Sequence, residues 1–441
     1  MDAEVKQIKT AAESALAATF AASKALLPGG PQTTGEREMA FKQFERRGLP
    51  HRRIEEWKYT DLRSLMRDAK PLAPAPDADV KDRAKHAGAV LAGVPMHRLV
   101  FANGAFVPEL SNATNLPGVS VVSLADMLAR NDAGPAFAAP QAVAEDAALA
   151  LNIAMMTDGA VIRVAKDAVV DKPIHLVFFH SGGTASATYT RSQIVVEPGA
   201  KVTFVESHEG ADGTEYQVST ALDLTVGDKA EVSRVKFGCE GDKALHIATL
   251  IVNVGEGGQF RDFIFNIGGA VTRNQLFVTC NGKRGQVMLA GASLLRGRQH
   301  ADTTLVLDHA VGGCNSREIF KSVLDDESRS VFQGKIVVRP DAQKTDARMM
   351  TRALLLSEDA EADSKPELEI FADDVQCGHG ATTGALDENL KFYLMARGIP
   401  EHEAEALLVQ AFIGEAVETI AHEGLRDALT FATVRWLGAR E

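Results

Sequence analysis

A thiol and an imidazole two residues apart, in the run Asp373-Asp374-Val375-Gln376-Cys377-Gly378-His379-Gly380, are the side chains of this sequence best suited to hold a soft metal. In an extended chain successive side chains alternate between faces, so Cys377 and His379 would share one. Thiolate and imidazole together suit zinc, copper or the iron of an iron–sulfur centre. Two ligands do not close a site, which needs about four. The remainder would have to come from distant residues, from another chain or from the sulfides of a cluster. The bare C-x-H pattern is common, and Gly378 and Gly380 have an alternative use in letting the chain turn into the segment that follows.

Other pairs carry less. His300 and Asp302 stand two apart and Asp308-His309 follows, but a buried, hydrogen-bonded histidine accounts for either. The acidic run Asp325-Asp326-Glu327 suits a solvated turn, because sequence neighbours need not converge in space. Gly255-Glu256-Gly257-Gly258 lacks the lysine of a phosphate-binding loop, and neither a G-x-S-x-G elbow nor an H-E-x-x-H metal motif occurs. Nucleotide hydrolysis by this chain is not expected. Cys239, Cys280, Cys314 and Cys377 lie far apart with no C-x-x-C pair and read as reduced thiols.

The elements that must position these residues change character along the chain. Up to about residue 70, apolar residues at mixed three and four spacing, such as Phe41, Phe44, Leu62, Leu65 and Met66, predict helices. Pro71, Pro74 and Pro76 then break the pattern and predict a linker. Short apolar runs between turn residues from His97 to Leu128 predict a small mixed α/β segment, and the Ala-rich stretch Ala138–Met156 another helix.

From Gly159 the texture becomes that of strands ending at glycine-containing turns. A small residue, a long polar one and an apolar one recur as Ala200-Lys201-Val202, Ala230-Glu231-Val232, Gly258-Gln259-Phe260 and Gly285-Gln286-Val287, at intervals of 30, 28 and 27. Such periods point to a solenoid whose coils bury their apolar faces on one another. An ordinary sandwich with evenly spaced hairpins is the alternative. After Gly384 helices return: Asp387 can cap one, Leu390 and Leu394 lie a turn apart, and Gly398 with Pro400 separates it from the next. In that second helix Val409, Ile413, Ala416 and Ile420 form an apolar stripe, available either to the chain's own core or to another protein.

Composition sets the class. The chain has 441 residues, 45% of them hydrophobic and 24% charged, as in a globular protein with a sizeable core. Its net charge of -12 repels phosphate backbones and anionic lipid, so neither nucleic acid nor membrane is an expected partner. Charges interrupt the Ala-rich opening, no signal segment is recognised, and no uncharged run reaches the ~18 residues of a membrane span. The expected location is the cytoplasm.

Three blocks of residues carry a resemblance. They are Arg53-Ile54-Glu55-Glu56-Trp57-Lys58-Tyr59-Thr60-Asp61-Leu62; the stretch from His300-Ala301-Asp302 through Asp308-His309 to Asn315-Ser316-Arg317; and the tail from Asp373 to Gly384, with Phe392-Tyr393-Leu394 and Arg397-Gly398-Ile399-Pro400. Together they resemble the SufB/SufD family, scaffold subunits of the SUF iron–sulfur cluster assembly system, over most of the chain. The SufB branch tends to be cysteine-rich with C-x-x-C spacing ahead of the core. This chain has neither feature, and Cys377-Gly378-His379-Gly380 resembles the SufD branch.

The resemblance implies a mainly β fold, a right-handed parallel β-helix with flanking N- and C-terminal helical regions, divided here at 1–155, 156–378 and 379–441. It implies a non-enzymatic role in a complex with SufB, paired through the β-helix ends, and SufC, an ABC-type ATPase docked on the C-terminal helices. Leu390, Leu394, Val409, Ile413 and Ile420 are the candidate SufC contacts. His379 and Cys377 become candidate ligands for iron or an iron–sulfur cluster held transiently at the SufB junction, exposed when ATP-driven closure of two SufC subunits moves SufB and SufD. No flavin is expected on this chain; whether one joins the complex, and whether the isolated chain forms a homodimer, the residues leave open. Two rivals remain: a polysaccharide-active β-helix enzyme, which would normally be secreted and richer in aromatic residues than 6%, and a purely structural interaction protein.

Overall fold

Between Ser186 and Ala385 alternating apolar and polar residues, closed at each end by a turn, fold as strands of 8 to 11 residues. The computed structural model describes residues 9–113, 115–130 and 145–438. Consecutive strands alternate between a ten-stranded and a nine-stranded sheet, so the chain winds through both at every coil. The result is a β-solenoid of about 8 turns. Its strands from Ile174 to Ala385 pair in parallel within each sheet, which excludes the sandwich of hairpins.

The sequence repeat is the register of this stack. Lys201, Glu231, Gln259 and Gln286 are lateral partners in successive coils, and the column continues through Asn315 and Asp346 to Gln376. The residue after each points into the solenoid, where Val202, Val232, Phe260 and Val287 are buried in one continuous core. Glycine serves close approach inside: a Cβ at Gly291 would lie 2.9 Å from the Phe320 ring stacked on it.

The small mixed α/β segment expected from His97 to Leu128 is present and closes the first coil. His97–Ala102 pairs in parallel with Ile174–His180 and antiparallel with Ala105–Phe106, while Val119–Ser123 lies antiparallel to Ala160–Val164. The proline segment is not a free linker either, since Pro71 and Ala73 exchange backbone hydrogen bonds with Ala187. Of the Ala-rich stretch, 138–144 lies outside the described residues, and Ala147–Met155 is helical. At the far end, the last strand runs over Gln376–Ala385, so the expected helical region from 379 begins in strand.

Helices Ala11–Ser23, Pro31–Arg47 and Ala147–Met155 cover the outer face of the nine-stranded sheet, with Leu16, Phe20, Phe41, Phe44 and Leu151 packed towards Tyr189 and Ile247. The segment after them is fastened by charge as well as by apolar contact. Trp57 is buried under the Arg273 guanidinium, 4.0 Å from its ring centre. Arg273 pairs with the buried Asp302, which also accepts from Thr60 Oγ1, and Thr60 Oγ1 lies 2.9 Å from His300 Nε2. Arg273 and Gln333 both donate to the Glu56 carbonyl, at 2.7 and 3.1 Å. His300 and Asp302 are therefore committed to this fastening.

Helices Glu388–Met395, Glu401–Val417 and Glu423–Gly438 follow the last strand. Val409, Ile413, Ala416, Ile420, Leu425 and Leu429 pack in one cluster with Val235, Phe263, Ala290 and Val323 of the ten-stranded sheet. No helix among the described residues is long and apolar enough to cross a membrane.

Breaking the buried ion pair from one side should be costly. Arg273→Met leaves Asp302 charged and buried without its cation, an expected loss of about 3–5 kcal/mol, whereas Thr60→Val should lose only about 1–2 kcal/mol. Urea denaturation midpoints of the two variants, measured beside the parent, check this order.

Candidate functional site

The end coil positions the C-x-H pair. In the strand Gln376–Ala385, Cys377 is registered on Ala347 and His379 on Met349, two residues buried in the solenoid core. Cys377 and His379 thus lie on one side of their strand, the side that faces the lumen. No coil is stacked beyond them among the described residues, because this strand is the edge of the ten-stranded sheet. Cys377 is half-buried against the core and His379 is exposed. Burial pushes the Cys377 thiol up, so an electrophile such as a metal must displace its proton.

Beneath the pair the columns run inwards. Under Cys377 come Ala347, Ser316 and Val287; under His379 come Met349, Glu318 and Leu289. Glu318 is fully buried, neither carboxyl oxygen has a hydrogen-bond partner, and burial pushes its pKa up to about 8.

Towards the other end the lumen is charged. Arg234 Nε donates to Glu206 at 2.6 Å and its Nη1 to Asp262 at 2.7 Å; Lys236 donates to Asn274 at 2.6 Å. Burial opposes the Glu206 charge, but the Arg234 guanidinium and His208 hold its carboxyl well below the usual range. Burial lowers Lys236 to about 8. The ligand atoms of His208, Glu240 and His246 lie within 4.8 Å of one another, with His246 hydrogen-bonded to Glu240 and to Thr220.

The description "SUF system FeS cluster assembly, SufBD core domain" matches residues 178–412, and "SufBD protein N-terminal region" matches 16–176. The chain belongs to the SufBD family. An iron–sulfur cluster assembly SufBD family protein of Synechocystis sp. is 33% identical over 395 residues, 86% of each chain. The iron–sulfur cluster assembly protein SufD of Escherichia coli is 30% identical over 401 residues, covering 90% of this chain and 92% of its own. That of Bacillus subtilis is 29% identical over 289 residues, 64% of each.

In this SufBD chain the five apolar residues expected on a docking face divide. Val409, Ile413 and Ile420 are buried in the cluster shared with the chain's own sheet and present nothing to another molecule. Leu390 remains exposed and Leu394 half-exposed, beside exposed Phe392 and Tyr393.

One group escaped the sequence reading. Cys280, His309 and Cys314, all fully buried, offer ligand atoms within 4.8 Å of one another. His309 Nε2 lies 3.2 Å from Ser316 Oγ, and its Nδ1 has no hydrogen-bond partner. With the Cys280 thiol donating to it, and the His309 ring and the Gly285 N–H nearby, Cys314 is the first of the two thiols to ionise, while Cys280 is held up. The signal lay in the repeat: Cys314-Asn315-Ser316 continues the pattern of Ala200-Lys201-Val202, which puts Cys314 at its inner corner.

Glu318 sets a pH dependence. It stays protonated in the folded chain up to about pH 8, whereas the unfolded chain ionises it near 4.5, so the folded state holds the extra proton in between. Stability should therefore fall as pH rises from about 4.5 towards about 8, by at most about 4–5 kcal/mol. In Glu318→Gln this part of the slope should vanish and the chain should gain stability at pH 8, as followed by urea midpoints in chelator-containing buffers.

Proposed function

We infer that this chain is a non-catalytic scaffold subunit for iron–sulfur cluster assembly, acting in a cytoplasmic complex with a SufB partner and the ATPase SufC. The observation that carries the reading is the end coil: a thiol and an imidazole on the lumen side of an edge strand that no further coil covers among the described residues. Two ligands from one chain cannot close a tetrahedral site. A second polypeptide stacked on the same edge would bring its own, and iron with sulfide would be cargo held between the two.

The partner's strands would pair with Gln376–Ala385, extending the solenoid by backbone hydrogen bonds. SufC would dock on the helix Glu388–Met395, where Leu390, Phe392 and Tyr393 are 52, 73 and 53% exposed. That helix follows the ligand strand directly, so a movement of docked SufC would be felt at Cys377 and His379 after a few residues. ATP-driven closure of two SufC subunits then opens the junction to iron and persulfide sulfur.

Two substitutions separate the roles. His379→Ala should leave the complex with SufB and SufC at normal stoichiometry while bound iron and sulfide, measured after anaerobic co-expression, fall at least severalfold; unchanged iron and sulfide would remove His379 from the site. Leu390→Asp combined with Phe392→Asp should abolish co-purification of SufC and spare that of SufB. Retention of SufC by this variant would place its docking elsewhere.

A further inference from the structure

The side chains that line one inner corner of the solenoid are aliphatic coil after coil, with one interruption. Val226, Val254, Cys280, His309 and Val338 are successive lateral partners in the nine-stranded sheet, each fully buried. Cys314 faces them from the turn that starts the next strand, at the place held in earlier coils by Ala200 and Ala230. Three residues of one chemistry thus replace three aliphatic or small ones at a single point.

We propose that Cys280, His309 and Cys314 form a buried binding site for a thiophilic divalent ion of the zinc class. Their ligand atoms lie within 4.8 Å of one another. A tetrahedral zinc bound at 2.3 Å holds two sulfurs about 3.8 Å apart, so closure needs shifts of about an ångström, which side-chain torsions supply. The histidine is already placed: Nε2 lies 3.2 Å from Ser316 Oγ and Nδ1 is the ring nitrogen with no hydrogen-bond partner, so the tautomer that carries its proton on Nε2 offers the Nδ1 lone pair to the ion. Two thiolates and an imidazole select zinc-like ions over magnesium or calcium. The fourth position is left to water or an incoming ligand.

The other three-residue cluster, His208, Glu240 and His246, carries no such site. Lys236 brings positive charge to it, and Glu240 and His246 are already hydrogen-bonded to each other. Around the cysteine cluster the nearby buried ionisable group is Glu318, which brings no positive charge. An ion at Cys280, His309 and Cys314 would join two neighbouring coils. It would also lie about two strand spacings, roughly 10 Å, from the coil of Cys377 and His379, while remaining a separate site.

The test uses the full-length chain, reduced, freed of metal with a chelator under anaerobic conditions and titrated with Co2+ alone. One equivalent should give thiolate-to-cobalt charge transfer in the near ultraviolet and tetrahedral bands in the visible, both abolished by Zn2+, and Zn2+ should raise the thermal midpoint. Cys280→Val and Cys314→Ala each restore the residue found at that register position in other coils, so both should keep the circular dichroism of the parent. Each should lose the charge-transfer band and bind at least about 100-fold more weakly, since a ligand counts for more than the outer-shell partners whose loss costs 10–100-fold. Cys377→Ala combined with His379→Ala should retain the band. No charge transfer in the parent, a band that survives both single substitutions, or a band lost only with Cys377 and His379 would each overturn the proposal.

Discussion

In-register stacking is the constraint on which the rest of this molecule depends. Because each inward side chain lies directly over its counterpart in the coils before and after, no residue in the lumen is chosen alone. An arginine at position 234 requires an acid in the next coil, and Asp262 is its lateral partner; a lysine at 236 stands beside Glu206 in the same manner. The column under His379 alternates apolar and ionisable residues for a related reason. Met349 and Leu289 bracket Glu318 with side chains that cannot hydrogen-bond to it, and the carboxyl answers by holding its proton.

The same constraint explains what was legible from the amino acids. Four copies of a small, long-polar, apolar triplet gave the coil length, because the turn geometry demands those residue types each time. Alternation alone put Cys377 and His379 on one side. Whether that side faced the lumen depended on which residues lie beneath, and Ala347 and Met349 could be placed there only by carrying the triplet forward to Val375-Gln376-Cys377. The Cys280, His309 and Cys314 group demanded more: two residues from adjacent strands and one from a turn meet only when the register is known to the residue, and the residues are separated by 29 and 5 positions. The stripe Val409, Ile413, Ile420 shows the opposite limit. Its periodicity is plain, yet a helix buries an apolar face in the same pattern whatever covers it.

The motif around Trp57 belongs to a third category, in which the residues are recognisable but their use is not. Glu56, Trp57 and Thr60 all bind the outer face of the nine-stranded sheet, through Arg273, Asp302, His300 and Gln333. Sequence blocks separated by more than 200 residues thus describe one joint. It clamps successive coils from outside, as Arg273, Asp302 and Gln333 come from three consecutive strands of that sheet.

The two ends of the stack are treated differently, and that difference gives the solenoid a direction. At the N-terminal end, antiparallel strands Ala105–Phe106 and Val119–Ser123 break the parallel pattern and finish both sheets. At the other end both sheets stop at parallel strands, but only one of them is guarded. Glu361–Ile370 carries Pro366, which removes a backbone donor, and charges at Glu361, Asp363, Lys365, Glu367 and Glu369, the devices by which an edge resists pairing. Gln376–Ala385 has no acidic residue, no lysine, no arginine and no proline, and its small side chains leave its free backbone edge accessible. A strand so composed carries none of the devices by which an edge resists pairing. The candidate ligands Cys377 and His379 sit on that strand, at the open edge of the stack.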